Sequence, residues 1–200
     1  MLMKVIGLCG GSGSGKGTVC ALFREYNIPS IDTDAVYKDL TSQKSECLDK
    51  LVETFGEHIL SSDGVLDRRK LASVVFEGKD CDLRLKELNK IAHYYILGET
   101  RKIITQYTEQ GYSAVIVDAP VLFESGFDSE CDIILCVVAD REIRIGRIMA
   151  RDNIIREKAE ARIDSQLSNE EIISRSDIIV YNNGDIDELK KEISVAVTKI

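Results

Sequence analysis

Histidine is scarce in this chain, basic charge is outweighed, and long apolar runs are missing; each shortage removes a class of protein. Two histidines, with six cysteines at positions 9, 20, 47, 81, 131 and 136 and no C-x-x-C pair, exclude an ordinary zinc site. The formal net charge of −8 excludes a general nucleic-acid binder, which would carry a basic footprint. No apolar run reaches the roughly 18 residues that a membrane helix needs. The opening Met1-Leu-Met-Lys-Val-Ile6 leads straight into an apolar segment and leaves no room for a secretory leader, so a cytoplasmic protein with reduced thiols is expected. Cys9 and Cys136 sit inside apolar runs and read as small core residues. With 44% hydrophobic and 30% charged residues, the 200-residue chain has an ordinary globular composition, enough for one domain with an inserted subdomain.

What the chain does have is one glycine loop. Residues 10–18 read Gly-Gly-Ser-Gly-Ser-Gly-Lys-Gly-Thr, which contains the G-x-x-x-x-G-K core of a nucleotide-binding P-loop from Gly10 to Lys16. A flexible linker has the same composition, but the surroundings argue against one. Lys4–Cys9 is a short apolar run suited to a buried strand, and Val19, Leu22, Phe23 and Tyr26 repeat on one helix face. Strand, glycine loop and helix together aim backbone N–H groups and a helix N-terminus at a phosphate. The residue after the lysine usually carries a hydroxyl for Mg²⁺; here it is Gly17, and the hydroxyl comes on Thr18. The loop therefore predicts a nucleoside triphosphate and leaves the metal contact open among water, Thr18, Asp32 and Asp118.

Apolar runs at about 4–9, 28–32, 114–118, 132–139 and 177–181 read as strands. Helical segments separate most of them, which predicts an α/β fold: a five-stranded parallel sheet between helical layers. Ligands of such sheets bind beyond the carboxyl ends of the strands. Those ends carry the glycine loop, Asp32 and Asp34, Asp118 and Pro120, and Asn182-Asn-Gly184. Residues 38–112 hold no convincing strand and read as a helical insertion, with helices at Glu46–Phe55, Asp67–Phe76 and about Arg84–Gln110. The remaining core is then about 1–37 and 113–200. Segment 141–162 has six arginines and one lysine against four acids. Arg144, Arg147 and Arg151 fall within about 60° on one helix face. A solvated charged helix is the bland account; an arginine-only stripe also suits the clamping of phosphate oxygens by a lid spanning about 141–166.

Phosphoryl transfer needs positioning, charge neutralisation and a base for the accepting hydroxyl. The loop amides and Lys16 supply the first two, with the arginines stabilising charge in transit. Asp34 is the candidate base. Asp32 reads as structural or linked to Mg²⁺, Asp118 as a metal residue at a strand end, and all three acids also suit caps or turns. Thr18 is open to the α-phosphate or to a local carbonyl. His93, a lone histidine, carries no role on its own pattern.

Taken in order, the motifs resemble those of the dephospho-CoA kinase family nearly end to end. The glycine loop is similar to its opening motif, and Ile31-Asp-Thr-Asp34 to its D-A-D segment. Phe55-Gly56, Gly64-Val-Leu-Asp-Arg68 with Leu71, and Leu88-Asn-Lys-Ile-Ala-His93 resemble the insertion signatures. Asp118-Ala-Pro-Val-Leu-Phe-Glu124, then Arg147-x-x-x-Arg151-Asp152 with Arg162-Ile-x-x-Gln166, and Ser176-Asp-Ile-Ile-Val-Tyr-Asn182-x-Gly184 resemble the rest. The resemblance implies ATP-dependent phosphorylation of the ribose 3′-hydroxyl of dephospho-CoA, the last step of coenzyme A synthesis, with ATP and Mg²⁺. It implies Asp34 as base, Lys16 and Arg147 as phosphate stabilisers, and Gly11, Ser12, Gly13, Ser14, Gly15, Gly17, Thr18 and Arg151 around the nucleotide. Asn182 and Gly184 would surround the adenine, and Arg68 and His93 would face dephospho-CoA. The implied partner is a small molecule, with no nucleic acid or membrane, on a monomer or small homo-oligomer. Gly17, Lys38, Tyr94 and Arg144 depart from the usual Ser/Thr, Arg, Pro and Gln. A nucleoside monophosphate kinase is the nearest alternative, since it shares the loop and the arginine lid but lacks the Asp32–Asp34 and Leu88–His93 signatures. A GTPase would need D-x-x-G after the third strand and N-K-x-D, and the chain has neither.

Overall fold

The structure, a computed structural model, describes residues 3–77 and 80–200. Along the chain run β1 (Lys4–Cys9), α1 (Lys16–Arg24), β2 (Ser30–Asp32), α2 (Thr33–Thr41), α3 (Glu46–Phe55), α4 (Arg68–Phe76) and α5 (Cys81–Glu109). After them come β3 (Ala114–Asp118), β4 (Ile133–Val138), α6 (Arg141–Asp152), α7 (Arg156–Asp164), α8 (Asn169–Ser174), β5 (Ile178–Tyr181) and α9 (Ile186–Val197). The chain divides into two compact units: Met1–Asp32 with Ile104–Ile200, and Thr33–Ile103.

The first unit is built on a five-stranded, all-parallel sheet in the order β2-β3-β1-β4-β5. Its strands are almost continuously apolar, as parallel strands buried on both faces must be. Ile6, Leu8, Ile116, Leu135, Val137 and Val180 pack with Val19 and Phe23 of α1 and Leu189 and Ile193 of α9 into one core. Each such side chain contributes about 1.5–3 kcal/mol by leaving water. Cys9 and Cys136, register partners on β1 and β4, are buried as expected. Their mutual hydrogen bond, and then burial, hold the Cys9 thiol far above its usual range.

The sequence-predicted strands all form, and their edges differ for local reasons. β2 starts at Ser30 rather than 28, because Pro29 has no N–H for the ladder and joins it only as the acceptor from Ile116 N. Asp132 and Asp177 fall outside β4 and β5; their carboxylates accept the N–H of Val5 and of Ile134 on the neighbouring strands, at 2.7 and 2.8 Å. Beyond β4, α6 and α7 pack through Ile145, Ile148, Ala159 and Ile163, and Asn153, left-handed at φ 51°, turns the chain between them. A capping box of Ser168 and Glu171 starts α8.

The second unit is helical, consisting of α2, α3, α4 and most of α5. Cys47, Leu51, Phe55, Ile59, Leu71, Val75 and Ile91 form its core. Ser45 caps α3 by accepting from Leu48 N, and Asp67 caps α4 by accepting from Arg69 N and Lys70 N. Asp67 is thus the cap rather than the first helical residue. Among the described residues no helix is long and apolar enough to cross a membrane.

Candidate active site

The glycine loop leaves β1 and enters α1 at Lys16. Gly15, the N-cap, adopts φ 100°, a conformation that costs a side chain dearly. A Cβ there would also collide with the Asn182 amide. No side chain caps α1, so the N–H groups at its start face outward for an anion. Ser14 N bonds back to Gly11 O at 3.1 Å, closing the turn. Lys16 Nζ reaches back to Gly10 O at 3.2 Å and lies 3.7 Å from Asp118 Oδ1.

The carbonyl side of the loop is held from outside. Asn182, buried just after β5, donates from Nδ2 to Ser14 O at 2.7 Å. Its Oδ1 accepts from Arg147, whose other terminal nitrogen reaches Gly13 O and Ser14 O at 3.4 Å each. With the carbonyls held on this side, and the N–H groups of Ser12 and Ser14 taken by Gln166 and Gly11, the uncapped N–H groups at the start of α1 are the ones that suit a phosphate. Asn183 ties the β5 end to the β4 end through Asp140, accepting from its N–H at 2.8 Å and donating to its carboxylate at 2.9 Å. Gly184 follows in the exposed turn before α9.

The arginine stripe read from the sequence splits into three uses. Arg144 is buried and bonded to Ser12 O at 2.9 Å. Arg147 holds the loop as described. Arg151 is exposed and paired with Asp152 at 2.7 and 2.9 Å, and Arg162 donates to the same carboxylate. The hydrogen bond from Arg151, reinforced by Arg162, lowers the Asp152 pKa to about 2. The sequence stripe located the helix, but it missed that Arg144 and Gln166 share Ser12. In the sequence, the sign of this meeting is the Arg162-Ile-x-x-Gln166 spacing.

Two acids stand at the carboxyl ends of adjacent strands, Asp32 opposite Asp118 in register. Thr18 is exposed in the first turn of α1. Among the described residues no cluster of three or more His, Cys, Asp or Glu side chains stands ready to hold a metal. A cavity of about 440 Å³ opens beside the loop, lined by Gly10, Gly11, Pro120, Phe123, Glu124 and Gln166 among others. Arg175 stacks over the Phe123 ring at 3.7 Å and reaches Asp128 at 3.6 Å, fixing that wall.

The remaining sequence-predicted residues lie in the second unit. Asp34 is exposed in the first turn of α2, which follows β2 without a break. Arg68 opens α4 and lies over the Tyr37 ring at 5.9 Å; burial pushes the Tyr37 pKa up to about 12. His93 is half-buried on α5.

A family model described as dephospho-CoA kinase matches residues 4–188. A dephospho-CoA kinase of Fusobacterium nucleatum is 40% identical over 193 residues, 96% of each chain. A crystal structure from Thermus thermophilus superposes with a TM-score of 0.81 at 30% identity, covering 100% of this chain and 99% of that one. The dephospho-CoA kinase structure from Campylobacter jejuni, at 22% identity and TM-score 0.72, covers 99% and 97% and attests the shared fold. Because the match takes in the glycine loop, the strand-end acids and the arginine helix alike, this chain belongs to the dephospho-CoA kinase family.

Proposed function

We infer that the protein transfers the γ-phosphoryl group of ATP to the ribose 3′-hydroxyl of dephospho-CoA, giving coenzyme A and ADP. The observation that carries this is the glycine loop with Lys16 beside Asp118, in a chain that matches the family over residues 4–188. The amides at the start of α1 receive the β- and γ-phosphates, and Lys16 exchanges its Asp118 contact for phosphate oxygens. Arg147 keeps the loop in shape and adds positive charge beside it. Asp34 takes the proton from the 3′-hydroxyl as that oxygen attacks phosphorus. Arg68 and His93 contribute to binding dephospho-CoA, and Asn182 and Gly184 border the nucleotide.

The oxygen donors of Asp118, Asp32 and Thr18 fit Mg²⁺, which accepts few protein ligands and keeps several waters. When bound, the ion neutralises charge on the β- and γ-phosphate oxygens. Gly17 supplies no hydroxyl, so the carboxylates take the larger share of holding it. The enzyme works in the cytoplasm as a monomer or small homo-oligomer.

A coupled assay of ADP release tests this reading. Turnover is expected with dephospho-CoA and not with AMP, CMP or UMP. The reverse pattern would replace it with a nucleoside monophosphate kinase.

A further inference from the structure

Arg144 is only 4% exposed, yet its hydrogen-bond acceptors are all neutral. Nε donates to Ser12 O at 2.9 Å, and the two terminal nitrogens donate to Gln166 Oε1 at 3.0 Å and Asn169 Oδ1 at 3.3 Å. Among the described residues no carboxylate pairs with it. Nearby charge makes matters worse, since burial and then Arg141 both work against its positive form. A guanidinium does not give up its proton, so the charge stays. A buried charge without a partner is costly, and the cost is offset where an anion arrives.

The same cluster grips one loop residue completely. Gln166 Oε1 accepts from Ser12 N at 2.9 Å, and its Nε2 donates to Ser12 Oγ at 3.1 Å. With Arg144 on the carbonyl, every polar group of Ser12 is held by two side chains. The Gln166 orientation is set by the network, because its oxygen faces two donors. Gly11 fits the same picture: a Cβ there would run into the Arg144 guanidinium. The missing side chain at position 11 makes room for Arg144.

We propose that Arg144 is a positioning residue whose balancing anion is the bound polyphosphate, and that Gln166 keeps it free for that role by offering a neutral acceptor. Arg144 does not touch phosphate; it acts through Ser12 and through its field on the loop. The proposal rests on the reading of the loop as the nucleotide site.

Gln166→Glu tests it. The substitution is nearly isosteric and sets a carboxylate against Arg144, while the Ser12 hydroxyl turns to donate. The nucleotide-free protein should melt at a higher temperature, and ADP, measured by calorimetry, should bind about tenfold more weakly. The KM for ATP should rise while the KM for dephospho-CoA stays put. Arg144→Gln, which keeps a donor for Ser12 O, should weaken ADP to a similar degree. A structural role alone moves melting temperature and affinity down together, and that result overturns the proposal. Unchanged ADP affinity in Gln166→Glu overturns it as well, whether or not Arg144→Gln folds. Failure of the unaltered chain to bind ADP would instead remove the nucleotide reading of the loop itself.

Discussion

Lys16 Nζ lies 3.7 Å from Asp118 Oδ1, joining the start of α1 to the end of β3, with the two side chains only 16% and 19% exposed. In the proposed function the lysine meets the phosphates and the acid helps to hold the metal, so the contact joins the two roles. Asp118→Asn keeps the shape and removes the charge. Its kcat should fall on the order of 100-fold, as for loss of one preorganised electrostatic group. The Mg²⁺ concentration for half-maximal rate should rise, and a titration of initial rate against Mg²⁺ reads both. Chelation of divalent cations should abolish turnover in either protein.

Asp34 is the second residue of α2, exposed to solvent one position after the buried Thr33. Asp34→Asn should lower kcat by about 10²–10⁴, the range for losing a general base. ADP affinity, measured by calorimetry, should hardly change. Near-normal turnover would take Asp34 out of the base role.

Asn182 is buried, and its amide serves both Ser14 O and Arg147. Asn182→Ala takes from that carbonyl its 2.7 Å donor and leaves it the 3.4 Å contact from Arg147. Stability should drop by about 0.5–1.5 kcal/mol, the usual net worth of one hydrogen bond. Urea denaturation reads the loss, and the KM for ATP should rise because the loop is no longer held from behind.

Asp152 titrates well below the ordinary 3.8, at about 2, because Arg151 and Arg162 bond to its charged form. A depressed pKa stabilises the fold above the unfolded value, and the benefit is lost as pH falls through the folded one. The contribution of α6 and α7 to stability should therefore weaken between about pH 4 and pH 2. Asp152→Asn should flatten this part of the profile of melting temperature against pH. Arg151 is exposed and Asp152 partly so, hence the effect is small and fades in high salt.

Much of the architecture was written in local pattern. Continuous apolar runs forced parallel buried strands, the glycine motif could only be a phosphate loop once strand and helix flanked it, and α3 matches its expected span. Strand edges moved where a single residue changed the hydrogen bonding: Pro29 lacks a donor, and Asp132 and Asp177 spend their carboxylates on neighbouring strands. The arginine stripe was visible as periodicity, but periodicity gives direction and not depth. Burial and the nearest acceptor turned Arg144 inward to Ser12, set Arg147 against the loop carbonyls and left Arg151 at the surface with Asp152.

The sequence alone determined the fold class, the phosphate loop and the set of acids at strand ends, because each depends on residues close together in the chain or on a two- or four-residue period. Only the tertiary structure decided which partner each charge would take. Lys16 and Asp118 are separated by about a hundred residues of chain, and Ser12 lies 154 residues from Gln166. No local pattern encodes such meetings; they follow from the strand order of the sheet, which brings β1 between β3 and β4 and gathers their ends into one site.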